Sequence, residues 1–198
     1  MAGKEFTVLH RAASLGHVNI IKMFKDVLHF QDINPLTKRG RSPMALASKF
    51  GKIEVVTYYI QNEPEKVWNR ASNSSKIRGN GVTPLHRAAR SGRDSVLREL
   101  LAHVNDKMPK AATGRTPLHY AAGYGKLNAT EILLNSIDNS SLLNPHAFIG
   151  YDYKTPLHLA AQYGHKTVVK LLLKTIVGDK NPKNKPGFKV RLLNTVKS

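Results

Sequence analysis

Polar and apolar residues are arranged along the chain in short blocks that open on Thr or Ser and close on Gly. The clearest blocks read TPLHRAARSG, TPLHYAAGYG and TPLHLAAQYG, and they begin at Thr83, Thr116 and Thr155. Thr is a good helix N-cap, Pro suits the first helical turn, and Gly can adopt the positive φ that ends a helix. Apolar residues then recur at helical spacing, as between His165 and Lys174. Each block therefore predicts a helix-turn-helix unit.

The same unit occurs five times, with an invariant Ala at its sixth position and an invariant Gly at its tenth. The units begin near Thr7, Ser42, Thr83, Thr116 and Thr155. The alanines are Ala12, Ala47, Ala88, Ala121 and Ala160, and the glycines are Gly16, Gly51, Gly92, Gly125 and Gly164. Because one unit cannot bury its apolar face alone, neighbouring units are expected to stack and share a core.

The T-P-L-H-x-A-A core of these units resembles the ankyrin-repeat family, whose unit has ~33 residues. The resemblance runs from Thr7 to about Lys174 and implies an all-α ankyrin-repeat solenoid of about five helix-turn-helix units within residues 1–177. The unit starts are separated by 35, 41, 33 and 39 residues. The longer intervals indicate insertions near residues 62–80 and 136–150.

Some segments depart from the repeat pattern. In unit 2, Met44 and Ala45 replace the usual Leu-His pair, so we expect weaker local stability there. The first insertion holds the only tryptophan, Trp68, which we expect to pack on its own stack; the alternative is a loop that faces a partner. Residues 178–198 are rich in Lys, Arg and Pro, and we expect a basic, flexible tail.

Four histidines share one position of the repeat and invite a metal-binding or catalytic interpretation. The family resemblance instead implies a structural role, with the imidazole hydrogen-bonded between a loop and a helix. The chain contains no His-Glu-x-x-His, Gly-x-Ser-x-Gly or phosphate-binding Gly-rich sequence. We therefore expect a non-catalytic protein without a metal site or cofactor. The histidines are His10, His86, His119 and His158.

The chain is strongly basic, and this charge changes the expected partner. Lys and Arg total 31 against 13 for Asp and Glu, a formal net charge of +18. Such an excess favours an acidic partner, although it can also serve solubility alone. Cysteine is absent, and the sequence shows neither a secretory leader nor an apolar run near the ~20 residues of a membrane span. We expect a cytoplasmic protein, with a nuclear location as an alternative and membrane association if it belongs to a channel.

Ankyrin-like proteins generally bind partners with their loops and the concave surface of their first helices. The residues expected there lie seven and eight positions after each opening Thr or Ser, and one position before it. They predict a protein-interaction scaffold for an acidic protein partner; an ordinary solvated basic face is the other interpretation. The alternative function is electrostatic binding of nucleic acid or anionic lipid. The predicted partner-binding residues are Arg41, Lys49, Phe50, Arg90, Arg115, Tyr124, Lys154, Gln162 and Tyr163.

A narrower resemblance concerns the stretch from Arg115 to about Leu173. The segments TPLHYAAGYGKLNATEILL and TPLHLAAQYGHKTVVKLLL, with the linker residues Leu142, Leu143 and Asn144 between them, are similar to the cytosolic ankyrin array of TRPA-type transient receptor potential channels. This resemblance implies a role in gating input or assembly. No six-helix pore is present in this sequence, so the chain alone is not expected to conduct ions.

Overall fold

The computed structural model describes residues 7–69, 71, 81–137 and 154–175. All regular elements in these segments are helices, which confirms the predicted all-α repeat solenoid. The helices are α1 Val8–Leu15, α2 Val18–Lys22 with a π-helical continuation Met23–Val27, α3 Pro43–Phe50, α4 Ile53–Asn62, α5 Glu65–Trp68, α6 Pro84–Ser91, α7 Asp94–His103, α8 Pro117–Gly123, α9 Leu127–Asn135, α10 Pro156–Gln162 and α11 Lys166–Thr175.

The helices form five antiparallel pairs that stack in chain order. The inner helices α1, α3, α6, α8 and α10 each contact the next inner helix, and the outer helices α2, α4, α7, α9 and α11 follow the same order on the other side. The short helix α5 packs against α4 within the first insertion. Because the inner helices approach each other through alanines, we expect the stack to curve toward them.

Unit 3 shows how the sequence sets the ends of an inner helix. Thr83 is the N-cap residue with an extended backbone, φ −86° and ψ 169°, and Pro84 occupies the first helical position. At the other end, Gly92 adopts φ 62° and its N–H bonds back to the helix. A side chain on that left-handed backbone would be strained, which explains the invariant glycine.

One continuous apolar core joins the units. The alanine pairs of α1, α6 and α8 are almost fully buried, as for Ala88 and Ala89, and these small side chains let the inner helices approach closely. The outer helices contribute larger residues such as Leu100 and Leu133. Trp68 is only 2% exposed and belongs to the same core, so it packs on its own stack as predicted.

In units 1 to 4, the glycine that ends the inner helix is covered by a side chain from the following unit. In each case the covering residue is the one that follows the helix-ending glycine of the next unit. The pairs are Lys52 over Gly16, Arg93 over Gly51, Lys126 over Gly92 and His165 over Gly125. Two of these side chains also bond to a backbone carbonyl of the covered unit. Arg93 Nε donates to Lys49 O at 3.1 Å, and His165 Nε2 lies 3.2 Å from Gly123 O. These two contacts link each covered unit to the unit that follows it.

Parts of the two insertions and the tail lie outside the described residues. In the first insertion, α4 ends at Asn62 and α5 follows, but residues 72–80 are not described. Residues 138–150 of the second insertion and the whole segment 178–198 are likewise outside. The predicted boundaries and the predicted flexible tail stay predictions. No described helix is long and apolar enough to cross a membrane.

Because only some of these glycines are covered by a side chain, two chemically identical Gly→Ala substitutions are predicted to lower the free energy of unfolding by different amounts. Gly125 and Gly164 both have positive φ, at 65° and 73°, so Ala strains the backbone by ~1–2 kcal/mol at either position. A Cβ at Gly125 would lie 2.5 Å from His165 Nδ1, whereas one at Gly164 meets no described atom within 4 Å. We expect Gly125→Ala to lower the free energy of unfolding by ~1 kcal/mol more than Gly164→Ala, because His165 must leave its carbonyl.

Urea denaturation of the two single variants provides the measurement, with Gly164→Ala serving as the matched control for backbone strain. Equal losses of stability in both variants would show that the cover contributes nothing beyond the glycine conformation.

Candidate protein-interaction surface

A buried histidine at the third position of an inner helix joins its own unit to the next one. In unit 3, His86 Nδ1 lies 3.1 Å from Thr83 N and 2.9 Å from Thr83 Oγ1. His86 Nε2 lies 3.1 Å from Arg115 O, 29 residues further along the chain. His10 and His119 make the same connections in units 1 and 4. We call this arrangement the histidine strap, and it gives these histidines the structural role implied by the family resemblance.

The geometry of the strap permits one protonation state. Nε2 faces a carbonyl oxygen, which only accepts, so Nε2 must carry the proton and donate it. Nδ1 faces the Thr83 N–H, which only donates, so Nδ1 of His86 must be the acceptor. A protonated imidazole would place two donors against each other there. The strap therefore requires a neutral ring with its proton on Nε2.

The pKa directions agree with this requirement. Burial, with a smaller contribution from the nearby Arg87 cation, lowers the pKa of His86 from 6.5 to about 4. The carbonyl of Arg115 opposes that shift, because it favours the protonated ring. Burial also lowers the pKa of His10. Both imidazoles are therefore neutral at physiological pH.

The strap holds the backbone of residues that the sequence placed on the partner-binding surface. The acceptor carbonyls belong to Arg41, Arg115 and Lys154. Arg41 O and Arg115 O each also accept the N–H of a residue four positions earlier, Thr37 or Ala111, at 2.9 Å. Each carbonyl thus has two partners, which fixes the loop end beside the preceding inner helix.

Unit 2 has no imidazole with which to build a strap. Ala45 occupies the histidine position, and its N–H bonds to Ser42 Oγ at 3.1 Å. The buried Asn34 accepts the Met44 N–H through Oδ1 at 3.0 Å, which stabilises the start of α3 from within the same unit. The boundary between units 2 and 3 is therefore made without the side chain that bridges the other boundaries.

The structure places most of the predicted partner-binding residues at the surface of the inner helices and their preceding loops. Phe50, Tyr124 and Tyr163 are 42%, 47% and 56% exposed. The exposed members of the predicted set are Lys49, Phe50, Arg90, Tyr124, Gln162 and Tyr163, and the half-buried members are Arg41 and Arg115.

Lys154 departs from the prediction. It is only 9% exposed, although it occupies the same repeat position as Arg41 and Arg115. The strap from His119 holds its carbonyl against α8 at 3.1 Å, and the side chain is buried with it. A partner could not reach this residue, so we remove it from the candidate surface.

Arg87 belongs to a group of arginine and tyrosine side chains drawn from three units. The cations of Arg41 and Arg90 act on it, and burial together with these neighbours lowers the pKa of Arg87. On α8, burial raises the pKa of Tyr120, and the neighbouring arginines 115, 87 and 90 partly offset that rise. Arg90 Cζ lies 4.4 Å from the ring centre of Tyr124, a cation–π contact between units 3 and 4. We name these residues the arginine–tyrosine cluster: Arg41, Arg87, Arg90, Arg115, Tyr120 and Tyr124.

Two members of the cluster, Arg87 and Tyr120, were absent from the sequence-based set. Both occupy the variable position of the T-P-L-H-x-A core, on the adjacent inner helices α6 and α8. Helices that stack in register bring identical repeat positions side by side, so reading the variable position across units could have found this pair. Tyr120 also contacts the His86 ring edge-on, with the ring centres 5.4 Å apart.

Charge is segregated between the two faces of the stack. None of the inner helices α1, α3, α6, α8 and α10 contains Asp or Glu. The acidic residues of the described helices lie instead on the outer side and in α5: Asp26, Glu54, Glu65, Asp94, Glu99 and Glu131. The Lys and Arg side chains of the inner helices are therefore not offset by carboxylates on those helices.

Comparison with known families identifies the class of protein. The family model for ankyrin repeats (3 copies) matches residues 67–142 and 110–185, which together cover more than half of the chain. The chain therefore belongs to the ankyrin-repeat family. Ankyrin repeats mediate protein interactions and are generally not enzymatic. In the described parts of the chain, no group of three or more His, Asp or Glu side chains could hold a metal ion.

Several curated proteins share the repeat region. The chain is 31% identical to the human Transient receptor potential cation channel subfamily A member 1 over 168 residues, covering 70% of this chain and 15% of the channel. It is 29% identical to Alpha-latrotoxin-Lh1a of Latrodectus hasselti, over 66% of this chain and 9% of that protein. It is 32% identical to Alpha-latrotoxin-Lg1a of Latrodectus geometricus, over 61% and 8%. The similarity to TRPA-type channels is confirmed, and the match spans less than a sixth of each relative's length.

The histidine strap predicts an acid-sensitive contribution to stability. At neutral pH, His86→Ala should lower the free energy of unfolding by ~1–3 kcal/mol, because Thr83 and Arg115 lose a buried partner. The imidazole has a pKa of about 4 in the folded protein, against 6.5 in the unfolded chain. As the pH falls, the unfolded chain therefore binds the proton before the folded protein does. Wild-type stability should therefore fall as pH drops from 6.5 toward 4, and His86→Ala should show a shallower fall in urea denaturation across this range.

His103→Ala is the matched control, because His103 is exposed at the end of α7 and bonds only locally to Glu99 O at 2.9 Å among the contacts seen for its ring. It should change stability by less than about 0.5 kcal/mol. Identical pH slopes for the wild type and His86→Ala would contradict the neutral-strap interpretation.

Proposed function

We propose that this protein is a non-catalytic interaction scaffold whose inner face binds an acidic segment of a partner protein. The observation that carries the proposal is the arginine–tyrosine cluster on inner helices that contain no carboxylate. Arginine and tyrosine are the residue types that contribute most to binding energy at protein interfaces. A field of one sign also steers a partner of the opposite charge toward the surface.

Preorganisation supports the same proposal. The carbonyls of Arg41 and Arg115 are fixed by straps and turns, and the Arg90 guanidinium rests on the Tyr124 ring. Side chains that are already ordered lose less entropy on binding. A partner would therefore meet a surface whose central residues are largely in place.

Flanking residues extend the proposed surface along the stack. On one side, Lys49 Nζ lies 4.9 Å from the ring centre of Phe50. On the other, Gln162 and Tyr163 are exposed at the end of α10. The surface then comprises eight of the nine residues predicted from sequence, with Arg87 and Tyr120 added and Lys154 removed.

The similarity to a human cation channel supports a more specific biological setting. In this proposal, the chain acts in the cytoplasm as the ankyrin part of a TRPA-like cation channel or of a relative, and the bound partner contributes to gating or assembly.

Peptide display on phage tests the proposed surface. A library of disordered-region peptides is selected on the wild-type chain and on a triple variant, Arg90→Gln, Arg115→Gln and Tyr124→Ala. We expect the wild type to enrich peptides of net negative charge, and the triple variant to lose at least about tenfold in affinity for them, or ~1.4 kcal/mol. Thermal unfolding by circular dichroism should stay unchanged in the variant.

A matched control removes charge from the outer face with Arg98→Gln on α7 and Lys170→Gln on α11, both exposed. This control should retain full affinity. Equal peptide enrichment by the triple variant would overturn the proposal. The alternative, electrostatic binding of nucleic acid or anionic lipid, predicts instead that single-stranded DNA or anionic vesicles bind tightly, lose affinity steeply with salt and ignore the triple substitution.

A further inference from the structure

We infer that the arginine–tyrosine cluster recognises the phosphate group of a phosphoserine or phosphothreonine peptide, with Arg87 at the base of the site. This inference rests on the proposed function, because it names the acidic group that the inner face would take. Phosphorylation of the partner would then control whether it binds.

The cluster brings guanidinium groups from separate units to one place. Arg87 and Arg90 are three residues apart on α6, which places them on one face of that helix. Arg41 lies in the loop before α3, the helix that packs against α6, and its charge acts on Arg87. Tyr120 lies on α8, which packs against α6, and the cations of Arg115, Arg87 and Arg90 act on its hydroxyl. Arg87, Arg41, Arg115 and Tyr120 are half-buried, and the exposed Arg90 and Tyr124 form the rim.

The number of cations matches a phosphate better than a carboxylate. A carboxylate offers two oxygens and one charge, and one bidentate arginine largely satisfies it. A phosphate monoester carries about −1.5 to −2 charges and three acceptor oxygens. Arginine forks bind such a group bidentately from several directions. Three converging guanidiniums therefore select for the group with more charge and more acceptors.

The state without a ligand contains repulsion that a dianion would relieve. Arg41 and Arg90 both disfavour the charged form of Arg87, in addition to the effect of burial. The inner helices supply no carboxylate to offset these charges. A dianion bound beside Arg87 would offset this repulsion.

The surroundings of the cluster favour a peptide over a lipid surface. Exposed aromatic residues lie at the ends of three of the five inner helices, Phe50 in unit 2, Tyr124 in unit 4 and Tyr163 in unit 5. Neighbouring helices pack about 8–10 Å apart, and an extended peptide rises ~3.3 Å per residue. A bound peptide would therefore advance by roughly three residues per unit, with apolar side chains on the aromatic rings.

Fluorescence anisotropy with matched peptide libraries tests the inference. Three labelled degenerate libraries of about nine residues carry phosphoserine, Ser or Glu at the centre and are otherwise identical. We expect the full chain to bind the phosphoserine library at least about tenfold more tightly than the Glu library. Arg87→Gln should reduce the phosphoserine affinity to the level of the Glu library, while Arg98→Gln on the outer face should change nothing.

The Arg87→Lys variant distinguishes a loss of phosphate recognition from a loss of folding. It keeps the charge and most of the buried aliphatic length, but it loses the bidentate fork. With an unchanged circular dichroism melt, this variant should lose most of the preference for phosphoserine over Glu and keep its affinity for the Glu library.

The outcomes separate this inference from the proposed function. Equal affinity for the phosphoserine and Glu libraries overturns phosphate recognition and leaves an acidic-peptide scaffold. Loss of selectivity in Arg98→Gln as well as Arg87→Gln would also overturn it, because general charge would then explain binding. Anionic vesicles or single-stranded DNA that bind more tightly than the phosphoserine library, and lose that affinity in Arg87→Gln, would assign the cluster to a lipid or nucleic-acid phosphate instead.

Discussion

The neutral imidazole of the T-P-L-H core is the interaction on which the rest of this structure depends. One ring satisfies the N-cap of its own helix through Nδ1 and reaches the next unit through Nε2, as His86 does between Thr83 and Arg115. These groups are buried, so a missing partner would cost more than the bond itself contributes. A repeat protein is stabilised by its nearest-neighbour interfaces, and the strap is the polar part of those interfaces.

The same bond links stability to the candidate binding surface. Its acceptor carbonyls belong to Arg41 and Arg115, which supply cations to the arginine–tyrosine cluster. Stacking of α6 on α8 then places Arg87 near Tyr120 and Arg90 against Tyr124. The cluster is therefore a consequence of the repeat register, since helix stacking sets the neighbours of α6 and the straps fix the carbonyls of Arg41 and Arg115.

Local sequence patterns were sufficient to predict the architecture, but they predicted the candidate binding surface only in part. Thr83, Pro84 and Gly92 set the ends of α6 by backbone preferences that are readable in any single unit. The burial of Lys154 and the convergence of Arg87 with Arg41 depend on which side chains neighbouring units supply. Repeat position alone does not contain that information. The variable position of the T-P-L-H-x-A core was the most informative one, because stacked helices bring identical repeat positions side by side.

Native-state hydrogen exchange tests the central role of the strap most directly, because one boundary in the described stack lacks the imidazole. Unit 2 carries Ala45 at the histidine position, so the contact between units 2 and 3 should be the weakest in the array. The account predicts that amides of α1 to α4 open together at a lower free energy than those of α6 to α9, which should exchange as one cooperative block. Uniform opening across all units, or first opening between units 3 and 4, would contradict it.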